Sequence, residues 1–156
     1  MKISTFLMQD MVIPQLASES GEEALREMVD FLKKKNIISR DKEIFERLIQ
    51  RENLGSTGIG DGVAIPHCKV KEVKNPTILL SISKKGIDFH SFDGKPTHVF
   101  FLVVSAPDNP SLSLQILAAI AHLVRKAHPL KKKILNADNI STILRIVREE
   151  EERTDE

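Results

Sequence analysis

His67 stands directly behind Pro66, and the eight residues from Gly55 to Gly62 hold four of the chain's seven glycines. Ordered glycine is costly in backbone entropy, so this density asks for a reason. A P-loop is excluded: Asp61 follows Gly60 and no lysine occurs between Gly55 and Lys69. A dinucleotide fingerprint is excluded too, because the spacing is G-x-G-x-G and the segment leads into a strand rather than a helix. What remains is a concave backbone whose N–H groups can line up toward an anion. Pro66 fixes its own φ and pushes Ile65 to an extended conformation, which stiffens the chain around His67. Histidine is a competent covalent nucleophile near neutral pH. A stiff histidine beside such a loop suits carriage of a phosphoryl group, a chemistry that depends on positioning and charge stabilisation. Arg51, at the mouth of the loop, is the candidate charge partner. The residues alone leave a second reading open, in which a glycine-rich turn leads into a strand and His67 is a polar residue with its hydrogen bonds met.

The other reactive residue types point to less. His90, His98, His122 and His128 lack the paired spacing of a metal site, so no metal and no cofactor is expected. Cys68 follows His67 at once, but adjacent strand residues point to opposite faces, which predicts a buried, inert thiol rather than a Cys–His pair. The basic clusters "FLKKKN" and "LKKKIL" fall at helix ends, where the helix dipole explains them. Net charge is +1 and phenylalanine is the only aromatic, so neither nucleic acid nor an anionic membrane is an expected partner. A lone cysteine forms no internal disulfide, and no apolar run approaches the roughly 20 residues of a bilayer span. Met1–Leu7 is too short for a secretory signal. These features predict a cytoplasmic domain that meets membranes only through partners.

The 156 residues, 41% hydrophobic and 29% charged, are expected to form one domain, since no linker or repeat divides them. Ala24, Leu25, Met28, Val29 and Leu32 repeat with helical period behind a Ser20/Glu23 capping box. Asp41 is expected to cap a second helix that buries Ile44, Phe45, Leu48 and Ile49. "VAIPH", "TILLSIS" and "THVFFLVVS" read as strands, the last nearly all apolar and so suited to cover on both faces. "FDGKP" marks a turn before it. Leu112, Ile116, Leu117, Ile120, Leu123 and Val124 then return to helical spacing, and two short helices close the fold, the last capped by Asp138 or Asn139. The expected class is a single layered α/β domain over residues 1–148, with a mixed, mainly parallel sheet flanked by helices. Residues 149–156 are expected to be an acidic, frayed tail.

"RENLGSTGIGDGVAIPH" (51–67) closely resembles the signature of the enzyme IIA domains of the fructose/mannitol class in the bacterial phosphoenolpyruvate:sugar phosphotransferase system, a class that includes a nitrogen-related regulatory branch. "IDFHSFDGKPTHVFFLVVSAP" (87–107) and "SLQILAAIAHLV" (113–124) look like the same family, and the likeness runs from about the first helix to Arg148, nearly the whole chain. The resemblance implies a phosphotransferase component that takes phosphate on His67 from the histidine-containing phosphocarrier protein. The acceptor would be a cysteine of an enzyme IIB, or regulatory target proteins would read the phosphate as a signal. It places the family's arginine on Arg51 and its polar loop position on Asp61, and matches Thr57, Gly58, Gly60 and Gly62. One position departs: where the family commonly carries a second histidine, in an "HLxxL" pattern, this chain has Ser113. A serine hydroxyl can bond a phosphate oxygen but carries no charge. That leaves, as the alternative, a regulatory binding module on the same fold without efficient transfer.

Overall fold

From Val99 to Val104 the run "THVFFLVVS" is apolar on both sides and requires cover on both faces, and with "TILLSIS" it forms the centre of the sheet. The computed structural model describes residues 1–155. A 3-10 turn at Ile3–Phe6 precedes β1 (Val12–Ile13), α1 (Gly21–Lys34) and α2 (Asp41–Leu54). Three short strands follow, β2 (Gly58–Gly60), β3 (Val63–Ala64) and β4 (His67–Lys69), and then the long β5 (Thr77–Ile87) and β6 (Thr97–Ser105). The chain closes with α3 (Pro110–Lys126), α4 (Leu130–Leu135) and α5 (Ile140–Arg153).

All six strands share one sheet in the order β1-β5-β6-β3-β2, with β4 also on β6. The β1–β5, β3–β6 and β4–β6 pairings are parallel. β2–β3 and the longest pairing, β5–β6, are antiparallel. Alternation along β6 divides the core. Val99, Phe101 and Val103 join Ile116, Ile120 and Val147 on the side of α3–α5. Phe100, Leu102 and Val104 join Leu25, Met28, Ile44 and Leu48 on the side of α1 and α2. The architecture is therefore the single layered α/β domain that the sequence predicts.

Three local expectations meet a different outcome. Asp41 is the first residue of α2 rather than its cap, and its carboxylate turns to Lys33 Nζ (3.1 Å) and Arg26 Nη2 (3.3 Å). "VAIPH" is two strands, because Pro66 offers no N–H to the ladder and the chain breaks at Ile65–Pro66 before pairing resumes. The acidic end is not frayed up to Arg153. Glu150 is 1% exposed and receives Lys133 Nζ at 2.5 Å and Arg153 Nε at 2.8 Å. Glu151 accepts from Ile3 N (2.5 Å), Ser4 N (3.2 Å) and Ser4 Oγ (2.7 Å), tying the last helix to the first turn. Burial raises the Glu150 carboxyl, but the bonds from Lys133 and Arg153 outweigh it and hold the group below its ordinary value. Glu156 lies outside the described residues.

Candidate active site

β3 and β4 lie end to end along one edge of β6, Val63 opposite Val99 and His67 opposite Val103. Val103 belongs to the α3–α5 side of the core, so His67 projects from that side of the sheet. Cys68 projects from the other and packs against the α1–α2 core. Desolvation pushes the Cys68 thiol up to about 12, and the opposing pull of the Arg47 charge does not reverse this. The thiol is on the wrong face and too weakly acidic to serve as a nucleophile beside His67.

His67 is half-buried, and its Nδ1 lies 2.8 Å from the carbonyl of Ile65. A carbonyl only accepts, so Nδ1 carries a proton, and in the neutral ring Nε2 is the nitrogen that keeps its lone pair. Pro66 makes this bond possible, because the break it imposes brings the Ile65 carbonyl under the ring two residues on.

The same segment is braced from α2. Arg51 Nη1 donates to the Gly55 carbonyl at 2.9 Å. The Glu52 carboxylate takes both donors of Thr57, the N–H at 2.9 Å and the hydroxyl through a short bond. The carbonyl of Thr57, which is buried, then accepts from Ile65 N at 3.0 Å. The path of bonds to His67 thus runs from Glu52 through Thr57 and Ile65, while Arg51 holds the Gly55 carbonyl two residues before Thr57. Glu52 is a positioning residue that sequence reasoning missed. Its signal was the acid of the "RE" pair at a helix end, five residues before a threonine. Arg47, one turn earlier, donates from Nη1 to the Lys69 carbonyl at 2.8 Å and pins the open edge of β4.

The glycine loop takes a form the sequence reading did not foresee. Gly58 and Gly60 belong to β2, and Asp61 with Gly62 forms the two-residue turn of a β2–β3 hairpin, both at positive φ (55° and 76°). Asp-Gly is a favoured pair for such a turn. The Gly62 carbonyl accepts from His98 N (2.8 Å) and Val99 N (3.0 Å), whereas His67 lies opposite Val103. At ~3.3 Å per residue this sets the hairpin tip about 15 Å from His67. Thr57 stays near the histidine, whereas Asp61, Gly60 and Gly62 do not come to it. Ser113 does lie on its side of the sheet: it is buried in the first turn of α3 and accepts a hydrogen bond from Ser105 Oγ at 3.1 Å.

The remaining histidines stand apart. His98 Nδ1 donates to the Ser83 carbonyl at 2.9 Å, and His90, His122 and His128 are exposed. Among the described residues no group of three or more His, Cys, Asp or Glu side chains could hold a metal ion, and no helix is long and apolar enough to cross a membrane.

Residues 5–150 match the family described as "Phosphoenolpyruvate-dependent sugar phosphotransferase system, EIIA 2". The chain belongs to that family. Among its EIIA relatives, a fructose-specific EIIABC component of Bacillus subtilis is 32% identical over 147 residues, 94% of this chain and 23% of the longer protein. A nitrogen regulatory protein of Bradyrhizobium diazoefficiens is 34% identical over 133 residues, 85% of this chain and 86% of its own. Among solved structures, the nitrogen regulatory protein IIA-Ntr of Neisseria meningitidis superposes with a TM-score of 0.83 at 25% identity, covering 93% of this chain and 98% of that one. The Escherichia coli mannitol IIA, solved in complex with phosphorylated IIB, shares the fold at a TM-score of 0.74 and 14% identity, over 92% of this chain and 97% of that one. The EIIA family relation therefore reaches both the fructose-specific and the nitrogen-regulatory types.

Proposed function

We propose that His67 is a phosphoryl carrier and that Nε2 is the atom that bonds phosphorus. The observation that carries this reading is the Nδ1···Ile65 carbonyl bond of 2.8 Å, which orients the ring and keeps the Nε2 lone pair outward. In the step, that lone pair attacks the phosphoryl group of a phosphohistidine on the donor, the histidine-containing phosphocarrier protein. The donor's N–P bond breaks and its electron pair returns to the donor ring. Nδ1 keeps its proton throughout, and the Ile65 carbonyl stabilises the positive charge that the phosphorylated ring gains. Arg51 supplies charge to the transferring oxygens, using guanidinium N–H groups other than the one on Gly55. Ser113 offers a hydroxyl on the same side of the sheet.

The onward acceptor is a cysteine of an enzyme IIB or a regulatory target that reads the phosphorylated state. The relatives of both kinds support both fates. A binding module without efficient transfer is the competing reading, and Ser113 in place of a second histidine is what favours it. The test is incubation with phosphoenolpyruvate, enzyme I and the phosphocarrier protein, followed by intact mass. An acid-labile gain of about 80 Da, absent from His67→Ala, is the expected result for a covalent phosphohistidine. No gain with a competent donor would overturn the carrier reading in favour of binding alone.

A further inference from the structure

β4 has only three residues, and alternation puts Lys69 on the same side of the sheet as His67. Their ladder partners agree. Val103 faces the α3–α5 core, and Ser105, opposite Lys69, donates its hydroxyl to Ser113 of α3. The Lys69 backbone is held firmly, its carbonyl by Arg47 Nη1 at 2.8 Å, while the next residue's N–H reaches the Ser105 carbonyl, also at 2.8 Å. Its side chain is exposed, and among the described residues it forms no ion pair, although Arg47, Lys33 and Lys133 all do. An anchored Cα therefore carries a free ammonium.

Residues two apart on a strand are separated by about 6.6 Å, and a lysine bears its ammonium on a flexible four-carbon stem. The ammonium can reach a group standing on His67 Nε2. Unmodified His67, with Nε2 as an acceptor only and no negative charge, offers it little. A phosphoryl group offers close to two negative charges and three acceptor oxygens. We propose, resting on the carrier reading of His67, that Lys69 is a cationic clamp for the phosphorylated form: its ammonium folds back along β4 and donates to the phosphoryl oxygens.

The experiment measures the equilibrium constant for phosphoryl exchange between the phosphocarrier protein and this chain, for wild type, Lys69→Met, Lys69→Arg and Lys69→Glu. The expected result is a three- to tenfold lower constant for Lys69→Met, a tenfold change corresponding to about 1.4 kcal/mol. Lys69→Arg restores it, Lys69→Glu lowers it further, and added salt shrinks every difference. Thermal unfolding stays at the wild-type value, since the side chain is exposed. An unchanged constant in Lys69→Met overturns the clamp. So does a slower approach to the same constant, which would mean that Lys69 only steers the donor. A wild-type chain that takes no phosphate overturns the carrier reading itself, and the clamp with it.

Discussion

Replacing Gly62 by alanine, alongside Asp61→Asn, asks whether the glycine-rich segment holds phosphate or only turns the chain. Gly62 sits at φ +76°, where an L side chain costs roughly 1–2 kcal/mol. An added Cβ would run into Lys131 Cδ, so that side chain must swing aside. Lys131 is only partly buried, and the displacement adds little. For a domain of this length each kcal/mol lowers Tm by about 2–4 °C, so Gly62→Ala should melt roughly 2–8 °C early. Asp61→Asn should stay within about 0.5 kcal/mol, because asparagine tolerates the same positive φ and the backbone N–H that reaches Asp93 is kept. The assay pairs thermal unfolding with the initial rate of phosphoryl transfer, measured well below both melting points. With the hairpin tip about 15 Å from His67, both variants should transfer within twofold of wild type. A tenfold loss in a variant shown to be folded would refute this geometry and return Asp61 and Gly62 to the phosphate's surroundings.

Two further outcomes follow from the braces around the site and at the chain's end. Glu52→Ala removes the acceptor of a part-buried N–H and hydroxyl of Thr57, which should cost about 1–3 kcal/mol in thermal unfolding and slow transfer by loosening the segment under His67. Equal transfer rates would show that Glu52 is structural only. Glu150 is held below its ordinary value of about 4.3, so the stability it contributes is present above that pH and is lost as pH falls through the folded value. Glu150→Gln should therefore be less stable than wild type at pH 7, by about 1–3 kcal/mol in urea unfolding, with the gap closing toward pH 3. A gap of the same size at both pH values would falsify the assignment.

The parts legible in the sequence were those governed by periodicity and by local chemistry. "THVFFLVVS" could only be a doubly covered strand, and it is β6 residue for residue. Ser20 and Asn139 cap their helices because their side chains can reach N–H groups three residues on. What escaped was set by partners distant in sequence. Nothing local announces that Glu150 and Glu151 find cations and N–H groups, so an acidic run looked frayed. Glycine density suggests a cradle only because it signals unusual backbone without saying which kind. The Asp-Gly pair was the sharper clue, and it marks a hairpin. His67 was singled out by its neighbours in sequence, yet its ring orientation came from a carbonyl that only the break at Pro66 exposes.

The histidine's strand leans on β6, where every residue from Val99 to Val104 is at most 1% exposed. Such a slab is close-packed and does not yield to a change at its rim. If His67 takes phosphate as proposed, the ring that gains the charge is backed by this slab, and the charge is concentrated at the edge. A partner that reads the proposed phosphorylated form meets the difference in charge directly at this edge. The domain resembles a printed label more than a lever: its message is altered by ink, and the reader does the moving.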